Sequence, residues 1–467
     1  MADQNSESVF NEEASTYFRP KTWVSFVIVA FLICSMCSAI FVTGVQLHIT
    51  MMVSMGFSML LLAFDGCSYK KLEAAIIYGG KLLIPTLVLL YCIGALIGAW
   101  IAGGTVPMII YWGLRLIDPK YFLVTACLAC MVVSMASGSS WSTIGTVGVA
   151  LMGVGVGLNV NPAMTAGAVV SGAAFGDKMS PLSDTTNIAP AVAEADLFDH
   201  IRAMLYTGGP AIVLALAGFA ILGFQAGGTT DEATVLNIMT SLHGLFRMNV
   251  LTLIPALIVL LLALKRFPAF PTLLISMLTA ALLAVVMQGQ SIPSILTIME
   301  QGFVSNTGLS TLVMVYGGIL EKCGVLDVLL EKMHSFTKTV GRLVATTVCL
   351  EIFLNLITAS QYMTIILGGK LMMPAYRKHD LLPQCLSRTL EDSGTVTSLL
   401  IPWNLCGAFA TAAIGVNSFS YLPYALFNWL CPLIAVIWGF TGLFQWRTGA
   451  ISSKRTYRRE DSVVDAE

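Results

Sequence analysis

The sequence predicts an all-α polytopic membrane protein, and three observations support this fold class. Hydrophobic residues make up 56% of the 467 residues and charged residues only 11%, whereas about 25% of the residues in a typical soluble protein are charged. The mean hydropathy is +0.81. The apolar runs are long enough for membrane-spanning helices and exceed the ~10-residue alternating strands of an outer-membrane barrel. These values exclude a water-soluble fold.

Charge and cysteine usage exclude further classes of function. The net charge is −1, so the chain has no basic field that would attract nucleic acid. Residues 1–20 are polar and acidic, unlike a signal peptide with its basic start and short apolar core. Two Cys-x-x-Cys spacings, Cys34/Cys37 and Cys127/Cys130, lie in apolar runs. They are interpreted as packing residues rather than metal ligands.

Eight apolar runs predict membrane-spanning helices, which need about 20 residues each. These runs are residues 22–43, 46–64, 82–102, 205–226, 249–264, 269–288, 308–321 and 420–446. Four further apolar stretches carry Gly, Ser, Thr, Asp or Pro in their middle, where a simple span would not. They are residues 119–157, 162–196, 340–380 and 384–415.

Lysine and arginine predict the orientation of the segments, because cytoplasmic loops carry an excess of both. If 119–157 and 340–380 are re-entrant hairpins, most of the 25 Lys and Arg residues lie in the cytoplasm, as do both termini. An arrangement in which each hairpin spans the membrane scatters these charges, so we favour the hairpins. The basic residues left elsewhere are Arg115, Lys120 and Arg247 outside, and Lys178 and Lys370 at membrane depth.

These placements predict an inverted repeat, with five membrane-spanning helices and one re-entrant hairpin in each half. Segments 105–117 and 325–337 are predicted to be short interfacial helices. Inverted repeats with broken helices are typical of secondary transporters, which bind their substrates near the membrane midplane. The predicted parts are a cytoplasmic tail at 1–21, a first repeat at 22–226, a linker at 227–248, a second repeat at 249–446 and a cytoplasmic tail at 447–467.

The two predicted hairpin tips are rich in hydroxyl groups. The first reads Ser-Gly-Ser-Ser-Trp-Ser-Thr at 137–143, and the second reads Thr-Ala-Ser-Gln-Tyr-Met-Thr at 358–364. Non-helical backbone at membrane depth is stable only where it is buried in protein or lines a polar cavity. Hydroxyl and carbonyl oxygens suit a dehydrated Na⁺. The candidate ligands are Ser137, Ser139, Ser140 and Thr143 in the first tip, and Thr358, Ser360, Gln361 and Thr364 in the second.

The stretches 162–196 and 384–415 are predicted to be broken helices. Pro181 removes a backbone donor and moves the residue before it out of helical geometry. Gly394 and Pro402 supply the equivalent interruption in the second half. Each break is expected to leave free carbonyls on one side and free N–H groups on the other.

Charged residues at membrane depth are candidates for function, since each costs about 3 kcal/mol or more on insertion scales unless paired or hydrated. In the first broken helix these are Asp177, Lys178 and Asp184. The polar neighbours Thr185 and Asn187 favour a binding role for Asp184. Lys178 has two interpretations at this point, either a structural partner of Asp177 or a functional group.

The second broken helix carries the adjacent acids Glu391 and Asp392. Helical geometry points neighbours in different directions, so we expect at most one of them to reach the site. Adjacent carboxylates in a low dielectric are suited to proton exchange. Glu351 and Lys370 flank the second tip and are interpreted as a structural pair across the hairpin. Further polar candidates in this half are Ser393, Thr395 and Asn404.

The segment 176–190 resembles the signature of the NhaC family of bacterial Na⁺/H⁺ antiporters. The tip at 137–143 and the acidic segment 391–394 also resemble that family, and the resemblance extends from about residue 20 to 447. It implies a multi-pass protein of the bacterial cytoplasmic (inner) membrane. It also implies inverted repeats, a homodimer and an elevator movement of the transport domain.

The resemblance and the intramembrane acids together predict a secondary antiporter that exchanges Na⁺ for H⁺, and not an enzyme. No cofactor or metal is expected beyond the transported ions. Na⁺ is expected at Asp184, Thr185, Asn187 and the first tip. The proton is expected on Asp177, Asp392 or Glu391. The polar residues of the second half would hold a second ion or an organic anion.

Two alternatives remain at this point. One is Na⁺- and H⁺-coupled exchange of a small organic acid such as malate or lactate, or of another small solute. Its anion would bind at Lys178 or at the helix starts after Asn187 and Ser398. The weaker alternative is a cation channel, because buried acids in broken helices favour a gated exchanger.

Overall fold

The computed structural model describes residues 18–116, 118–226, 232–247, 249–265, 267–303, 307–330 and 338–447. Within these ranges the regular structure is helical, apart from one antiparallel bridge between Leu381 and Arg447. Six of the described helices are long and apolar enough to cross a membrane. The number rises to nine if each of three bent helix pairs is counted as one span. The chain is therefore a multi-pass membrane protein, as predicted.

The first half begins with four helices, continues with the two arms of a helical hairpin and an interrupted helix, and ends with one long helix. Its helices are α1 (Thr22–Ser38, extended by a π-helical turn at Ala39–Thr43), α2 (Leu47–Phe64), α3 (Tyr69–Ala102), α4 (Thr105–Leu116), α5 (Phe122–Ser137), α6 (Ser140–Gly157), α7 (Pro162–Met179), α8 (Asp184–Ala193) and α9 (Leu197–Ala226).

The second half repeats this order of hairpin and interrupted helix. Its helices are α10 (Glu232–Leu245), α11 (Ile254–Leu264), α12 (Ala269–Val286), α13 (Ile292–Phe303), α14 (Thr307–Lys322), α15 (Val325–Leu330), α16 (Val340–Thr358), α17 (Gln361–Lys378), α18 (Pro383–Leu390, continued by a π-helical turn at Glu391–Thr395 and by Val396–Ser398), α19 (Leu405–Ile414) and α20 (Leu426–Thr441).

Several helices differ from the predicted spans: α9 begins at Leu197 rather than at 205, α20 covers Leu426–Thr441 rather than 420–446, and three further differences concern α3, α10 and α13. α3 begins at Tyr69 rather than at 82, because its first turns carry lysines that lower the hydropathy without breaking the helix. Its 34 residues extend about 50 Å, well beyond a ~30 Å hydrocarbon core. α10 lies within the predicted linker 227–248, of which 227–231 and 248 are outside the described residues. α13 was not predicted, since its polar residues interrupt the apolar run.

α13 and α14 lie along α3 and approach its backbone closely. A Cβ atom at Gly98 of α3 would come within 2.6 Å of the carbonyl oxygen of Ile298 in α13. A Cβ atom at Gly79 would come within 2.5 Å of the carbonyl oxygen of Met314 in α14. Small residues at such crossings allow helix backbones to touch in a membrane, where no hydrophobic effect drives helices together.

Both hairpins turn through left-handed backbone, and both helices that follow them are interrupted. The first turn uses Gly138 with φ of +68°, and the second uses Ala359 with φ of +53°. α7 ends at Met179 and α8 begins at Asp184, on either side of Pro181. The second interruption lies between the end of α18 and the start of α19.

The first hairpin packs against the first interrupted helix through glycines of α7. A Cβ atom at Gly172 would overlap the carbonyl oxygen of Cys127 in α5. Two turns further along α5, Ser134 donates a hydrogen bond of 2.7 Å to the carbonyl of Ala173, the residue after Gly172. α5 and α7 are therefore in backbone contact, which fixes the position of the first tip relative to α7.

We predict that Gly172→Ala lowers the thermal stability of the purified protein, because the new methyl group has no space against α5. Overpacking of this kind costs about 1–3 kcal/mol. The matched control is Gly209→Ala in α9, where no atom lies within 4 Å of the new Cβ. Unfolding in detergent, followed by tryptophan fluorescence, should show a lower midpoint for the first variant and an unchanged or higher one for the second. Equal midpoints would contradict this packing.

Candidate functional site

The first hairpin tip lies directly against the interruption between α7 and α8. A Cβ atom at Gly138 would come within 2.6 Å of the carbonyl carbon of Leu182, so only glycine fits at this contact. Ser180 in the interruption donates a hydrogen bond of 2.8 Å to the carbonyl of Met135 in α5. The tip and the interruption therefore form one structural unit, which we call the first tip–break unit (137–143 with 176–187).

Asp177 is the carboxylate at the centre of the first tip–break unit. Ser140 Oγ of the tip donates to its Oδ2 at 2.6 Å, and Ser183 Oγ of the interruption donates to its Oδ1 at 2.6 Å. Thr185 Oγ1 lies 3.0 Å from Ser183 Oγ and extends the cluster. Asp177 is only 5% exposed. Oxygen atoms from three segments thus converge on one buried carboxylate.

The other predicted ligands of the first tip shape its backbone. Ser139 Oγ accepts a hydrogen bond of 3.2 Å from the Ser142 amide and so caps α6. Thr143 Oγ1 donates to the Ser139 carbonyl at 3.0 Å, and Ser137 Oγ donates to the same carbonyl at 3.4 Å. Of the tip hydroxyls predicted as Na⁺ ligands, Ser140 is the one that donates a hydrogen bond to the carboxylate of Asp177.

Asp184 and Asn187 lie on the exposed face of the first turn of α8. The Tyr362 hydroxyl of the second tip donates to Asp184 Oδ2 at 3.5 Å, which is a long contact. Asn187 Nδ2 donates to the carbonyl of Ser183 at 2.7 Å. The sequence favoured Asp184 as the central acid, but the structure places Asp177 at the centre of the oxygen cluster and leaves Asp184 exposed on α8.

The second hairpin tip contacts the second interruption in a similar way. The backbone amide of Leu405, at the start of α19, donates to the carbonyl of Ala359 at 2.9 Å. Thr358 Oγ1 lies 3.2 Å from Thr364 Oγ1, and the Ser360 amide donates to Thr358 Oγ1 at 3.4 Å. These contacts define the second tip–break unit (355–364 with 394–405).

The centre of the second tip–break unit is an amide, Asn355, which the sequence reasoning missed. Its Nδ2 donates to the carbonyl of Gly394 at 2.6 Å and to Thr397 Oγ1 at 3.1 Å. Its Oδ1 accepts from Thr364 at 3.2 Å and from Asn404 at 3.1 Å. The signal in the sequence was a polar residue in the apolar α16, one turn before the tip.

The remaining predicted residues of this half divide into two groups. Ser398 Oγ donates to Gln361 Oε1 at 3.2 Å and so adds a further tip contact. Ser393 Oγ donates to the carbonyl of Thr389, one turn back in its own helix, at 2.6 Å. Thr395 Oγ1 is buried without a hydrogen-bond partner. Ser393 is therefore used within α18, whereas Thr395 retains its hydroxyl for a ligand.

Lys178 joins the two interrupted helices through an ion pair with Asp392. Both side chains are fully buried, and Lys178 Nζ contacts Asp392 Oδ1. Thr207 Oγ1 donates to the same oxygen at 2.7 Å, and Cys431 Sγ approaches it at 3.2 Å. The expectation that Lys178 pairs with Asp177 is wrong, because α18 brings a partner from the other half of the chain.

A second buried cation, Arg388, approaches the other oxygen of Asp392. Its Nε lies 3.9 Å from Asp392 Oδ2. The guanidinium also donates to the carbonyl of Phe444 at 2.8 Å and lies 5.4 Å from the centre of the Trp446 ring. Asp392 thus lies between two cations. The Arg388 contact is long, and neither Arg388 Nε nor Asp392 Oδ2 makes a hydrogen bond. Protonating Asp392 would break its ion pair with Lys178 and weaken the attraction to Arg388, which disfavours Asp392 as a proton carrier.

Two further acids are fully buried near the second interruption. Neither carboxylate oxygen of Glu391 has a hydrogen-bond partner, and the same is true of Glu351. Lys370 is exposed, and no ion pair joins it to Glu351 in the described part of the chain. The expected Glu351–Lys370 pair is wrong, because the two side chains leave their helices toward different environments.

Comparison with known proteins assigns the chain to a family. Residues 5–186, 172–315 and 298–443 match the sequence profile of the Na⁺/H⁺ antiporter family. The chain belongs to the Na⁺/H⁺ antiporter family. This confirms the family expected from the sequence, and the family is one of transporters rather than enzymes.

Several relatives match most of the chain. The Na(+)/H(+) antiporter NhaC of Alkalihalophilus pseudofirmus is 38% identical, and the match covers 92% of this chain and 96% of the relative. The malate-2H(+)/Na(+)-lactate antiporter of Bacillus subtilis is 36% identical, with 86% and 91% covered. The arginine/ornithine antiporter ArcD of Halobacterium salinarum is 39% identical, with 76% and 78% covered.

In this member of the Na⁺/H⁺ antiporter family, buried acids outnumber buried bases around the two interruptions. A carboxylate that is buried without a partner is costly when charged, so it binds a proton or another cation. The site therefore has the chemistry to hold cations of more than one kind. The buried bases are Lys178 and Arg388, and the buried acids are Asp177, Glu351, Glu391 and Asp392.

The antiporter's central ion pair leads to a prediction about stability. Asp392→Asn should destabilise the protein by about 3–5 kcal/mol, because it leaves two buried cations unpaired. Lys178→Met should cost less, since Arg388 remains beside the carboxylate. The double variant should lose less than the sum of the two. Thermal unfolding in detergent measures all three, and additive losses would contradict a direct pair.

Proposed function

We propose that the protein is a secondary active antiporter that exchanges Na⁺ for H⁺ across the bacterial cytoplasmic (inner) membrane. The observation that carries this proposal is the convergence of hydroxyl groups and an interrupted helix on the buried carboxylate of Asp177. Broken helices with such oxygen clusters bind coupling ions in secondary transporters. A relative of 38% identity that is named as a Na(+)/H(+) antiporter supports the same function.

In this proposal, Na⁺ binds in the first tip–break unit. Asp177 supplies the negative charge, and the hydroxyl oxygens of Ser140, Ser183 and Thr185 supply further ligands. The C-terminal end of α7 adds the partial negative charge of its helix dipole. On Na⁺ binding, the hydroxyl groups keep their hydrogens and rotate them away from the carboxylate, so that their oxygen lone pairs face the ion.

The burial of Asp177 and the exposure of Asp184 favour Asp177, rather than Asp184, as the acid that binds Na⁺. Asp177 is enclosed by the tip, which suits a dehydrated ion. Asp184 is exposed on the first turn of α8, and the Tyr362 hydroxyl approaches its carboxylate at 3.5 Å. We therefore propose that Asp184 and Asn187 attract Na⁺ at the exposed face of α8 and that the buried Asp177 binds it.

Of the three acids expected to carry the proton, Glu391 fits best. Asp392 is held between Lys178 and Arg388, and Asp177 is assigned to Na⁺. Glu391 is fully buried and has no hydrogen-bond partner, so a proton neutralises it without breaking an ion pair.

The correspondence between the halves supports an inverted repeat with alternating access. Trp141 of the first tip stacks on Phe409 of α19, with ring centroids 4.7 Å apart. Tyr362 of the second tip reaches Asp184 at the start of α8. Each tip thus contacts the second part of the opposite broken helix. We propose that these elements move together as an elevator in a homodimer whose termini are cytoplasmic.

Coupled exchange of a small organic solute is the second candidate function. It is favoured by relatives named for malate and lactate, and for arginine and ornithine. Lys178 is a poor anion site, because its ammonium group is fully buried against Asp392. An organic anion would instead have to use the second tip–break unit, where Gln361 and the start of α19 lie.

We predict that Na⁺ alone drives proton movement in proteoliposomes that contain a pH-sensitive dye. Na⁺ would be added with and without malate or lactate, with protein-free liposomes as the control. Movement only in the presence of an organic acid would replace the first candidate function with the second.

Two matched variants test the proposed roles of the acids. Asp177→Asn should lower the apparent Na⁺ affinity by about 10- to 100-fold or abolish exchange, because a charge-assisted contact contributes about 1.5–3 kcal/mol. Asp184→Asn should raise the Na⁺ concentration at half-maximal rate several-fold and leave the maximal rate intact. Normal exchange by Asp177→Asn, with loss of exchange in Asp184→Asn, would restore the roles expected from the sequence.

A further inference from the structure

Glu351 is a buried acid that the exchange described so far does not use. It lies in α16, has no exposed surface, and neither of its carboxylate oxygens has a hydrogen-bond partner. A charged carboxylate in such a place is strongly disfavoured unless a cation or a proton accompanies it. The side chain therefore needs a ligand that the protein itself does not supply.

The space around Glu351 is made by two glycines from two different helices. A Cβ atom at Gly368 in α17 would overlap Glu351 Oε1, and a Cβ atom at Gly394 in α18 would collide with Glu351 Oε2. Any larger residue at either position would displace the carboxylate. The two glycines admit the acid to the middle of the hairpin and bring it against the π-helical turn of α18.

Glu391 lies in that same π-helical turn and within electrostatic reach of Glu351. It is also fully buried, and its carboxylate makes no close hydrogen bond, although the hydroxyl groups of Thr395 and Thr185 are its polar neighbours. Two neighbouring carboxylates in a low dielectric do not both ionise, and the pair retains one proton between them. The helices packed against α16 also carry other charged or titratable groups. These include Asp392, Arg388 and Cys385 in α18, Lys370 and Tyr376 in α17, Tyr316 and Glu321 in α14, and Cys431 in α20.

We propose that Glu351 and Glu391 form a carboxylate pair that binds the transported proton. This inference rests on the proposed Na⁺/H⁺ exchange and adds a residue to it. A proton fits the pair better than Na⁺, which needs several oxygen ligands. The carbonyl of Gly394 already accepts a hydrogen bond from Asn355, so it has one lone pair left to offer a cation.

The position of the pair explains how a proton would affect the rest of the site. Glu391 and Asp392 are adjacent in the π-helical turn, and Asp392 binds Lys178 of the first broken helix. A proton taken from water on one side of the membrane forms an O–H bond on one of the two carboxylates and removes the repulsion between them. Its release to water on the opposite side restores a second negative charge beside the Lys178–Asp392 pair.

The test is the number of protons moved per Na⁺ by Glu351→Gln, which keeps the shape of the side chain but binds no proton. The purified variant is reconstituted in proteoliposomes, and the membrane potential at which net flux stops is measured with pH and voltage dyes. We expect proton movement per Na⁺ to fall or disappear. Na⁺/Na⁺ exchange, followed with ²²Na⁺, should persist and shows that the variant is folded.

Two further variants complete the test. Glu321→Gln is the matched control, because Glu321 lies in α14 and binds the Tyr78 hydroxyl at 3.2 Å; its proton count should equal that of the unchanged protein. Glu351→Asp keeps an acid and should keep the proton count at a lower rate. If Glu351→Gln does not fold, Glu351→Asp provides the test by itself. A changed number of protons per Na⁺ in Glu351→Asp would then contradict the inference.

The possible results separate this inference from the proposed function. An unchanged proton count in Glu351→Gln overturns the proton pair and leaves Na⁺/H⁺ exchange standing. Loss of Na⁺/Na⁺ exchange in a folded Glu351→Gln overturns it as well, because the pair would then bind Na⁺. Absence of Na⁺-driven proton movement in the unchanged protein refutes the proposed function itself.

Discussion

The ion pair between Lys178 and Asp392 is the interaction on which the rest of the site depends. It is the point at which the two broken helices meet, and both groups are fully buried. A buried pair contributes little net stability, but loss of either partner leaves an uncompensated charge. The pair therefore fixes the register of the two helices, and each helix in turn carries its own hairpin tip. Arg388 reinforces this arrangement from the side of the C-terminal segment.

The two tip–break units share a geometry and differ in charge. Each places a left-handed turn against an interrupted helix and closes the contact with short hydrogen bonds. The first is centred on the carboxylate of Asp177, and the second on the amide of Asn355. An amide satisfies its neighbours without a net charge, whereas a carboxylate requires a cation. This difference gives a physical reason for a cation site in the first unit and a structural centre in the second.

The buried acids that remain explain how two cations could be coupled without sharing one ligand. In the proposed exchange, Na⁺ binds at Asp177 and a proton binds at the Glu351–Glu391 pair, and both Asp177 and Glu391 are sequence neighbours of the Lys178–Asp392 bridge. Charges in a low-dielectric interior interact strongly over several ångströms, so filling one site changes the energy of the other. The bridge also transmits any movement of one broken helix to the other, which keeps the two sites in one moving unit.

The sequence by itself determined the membrane class, most of the helices, the two tips and the two interruptions. Hydropathy, proline and glycine affect the backbone locally, so their effects can be predicted from neighbouring residues in the sequence. Only the tertiary structure decided which charges meet: Lys178 with Asp392, and Asp177 rather than Asp184 at the centre. Asn355 also went unrecognised. Such pairings depend on how helices that are distant in the sequence pack together. The residues next to a buried side chain in the sequence do not indicate which partner it will contact.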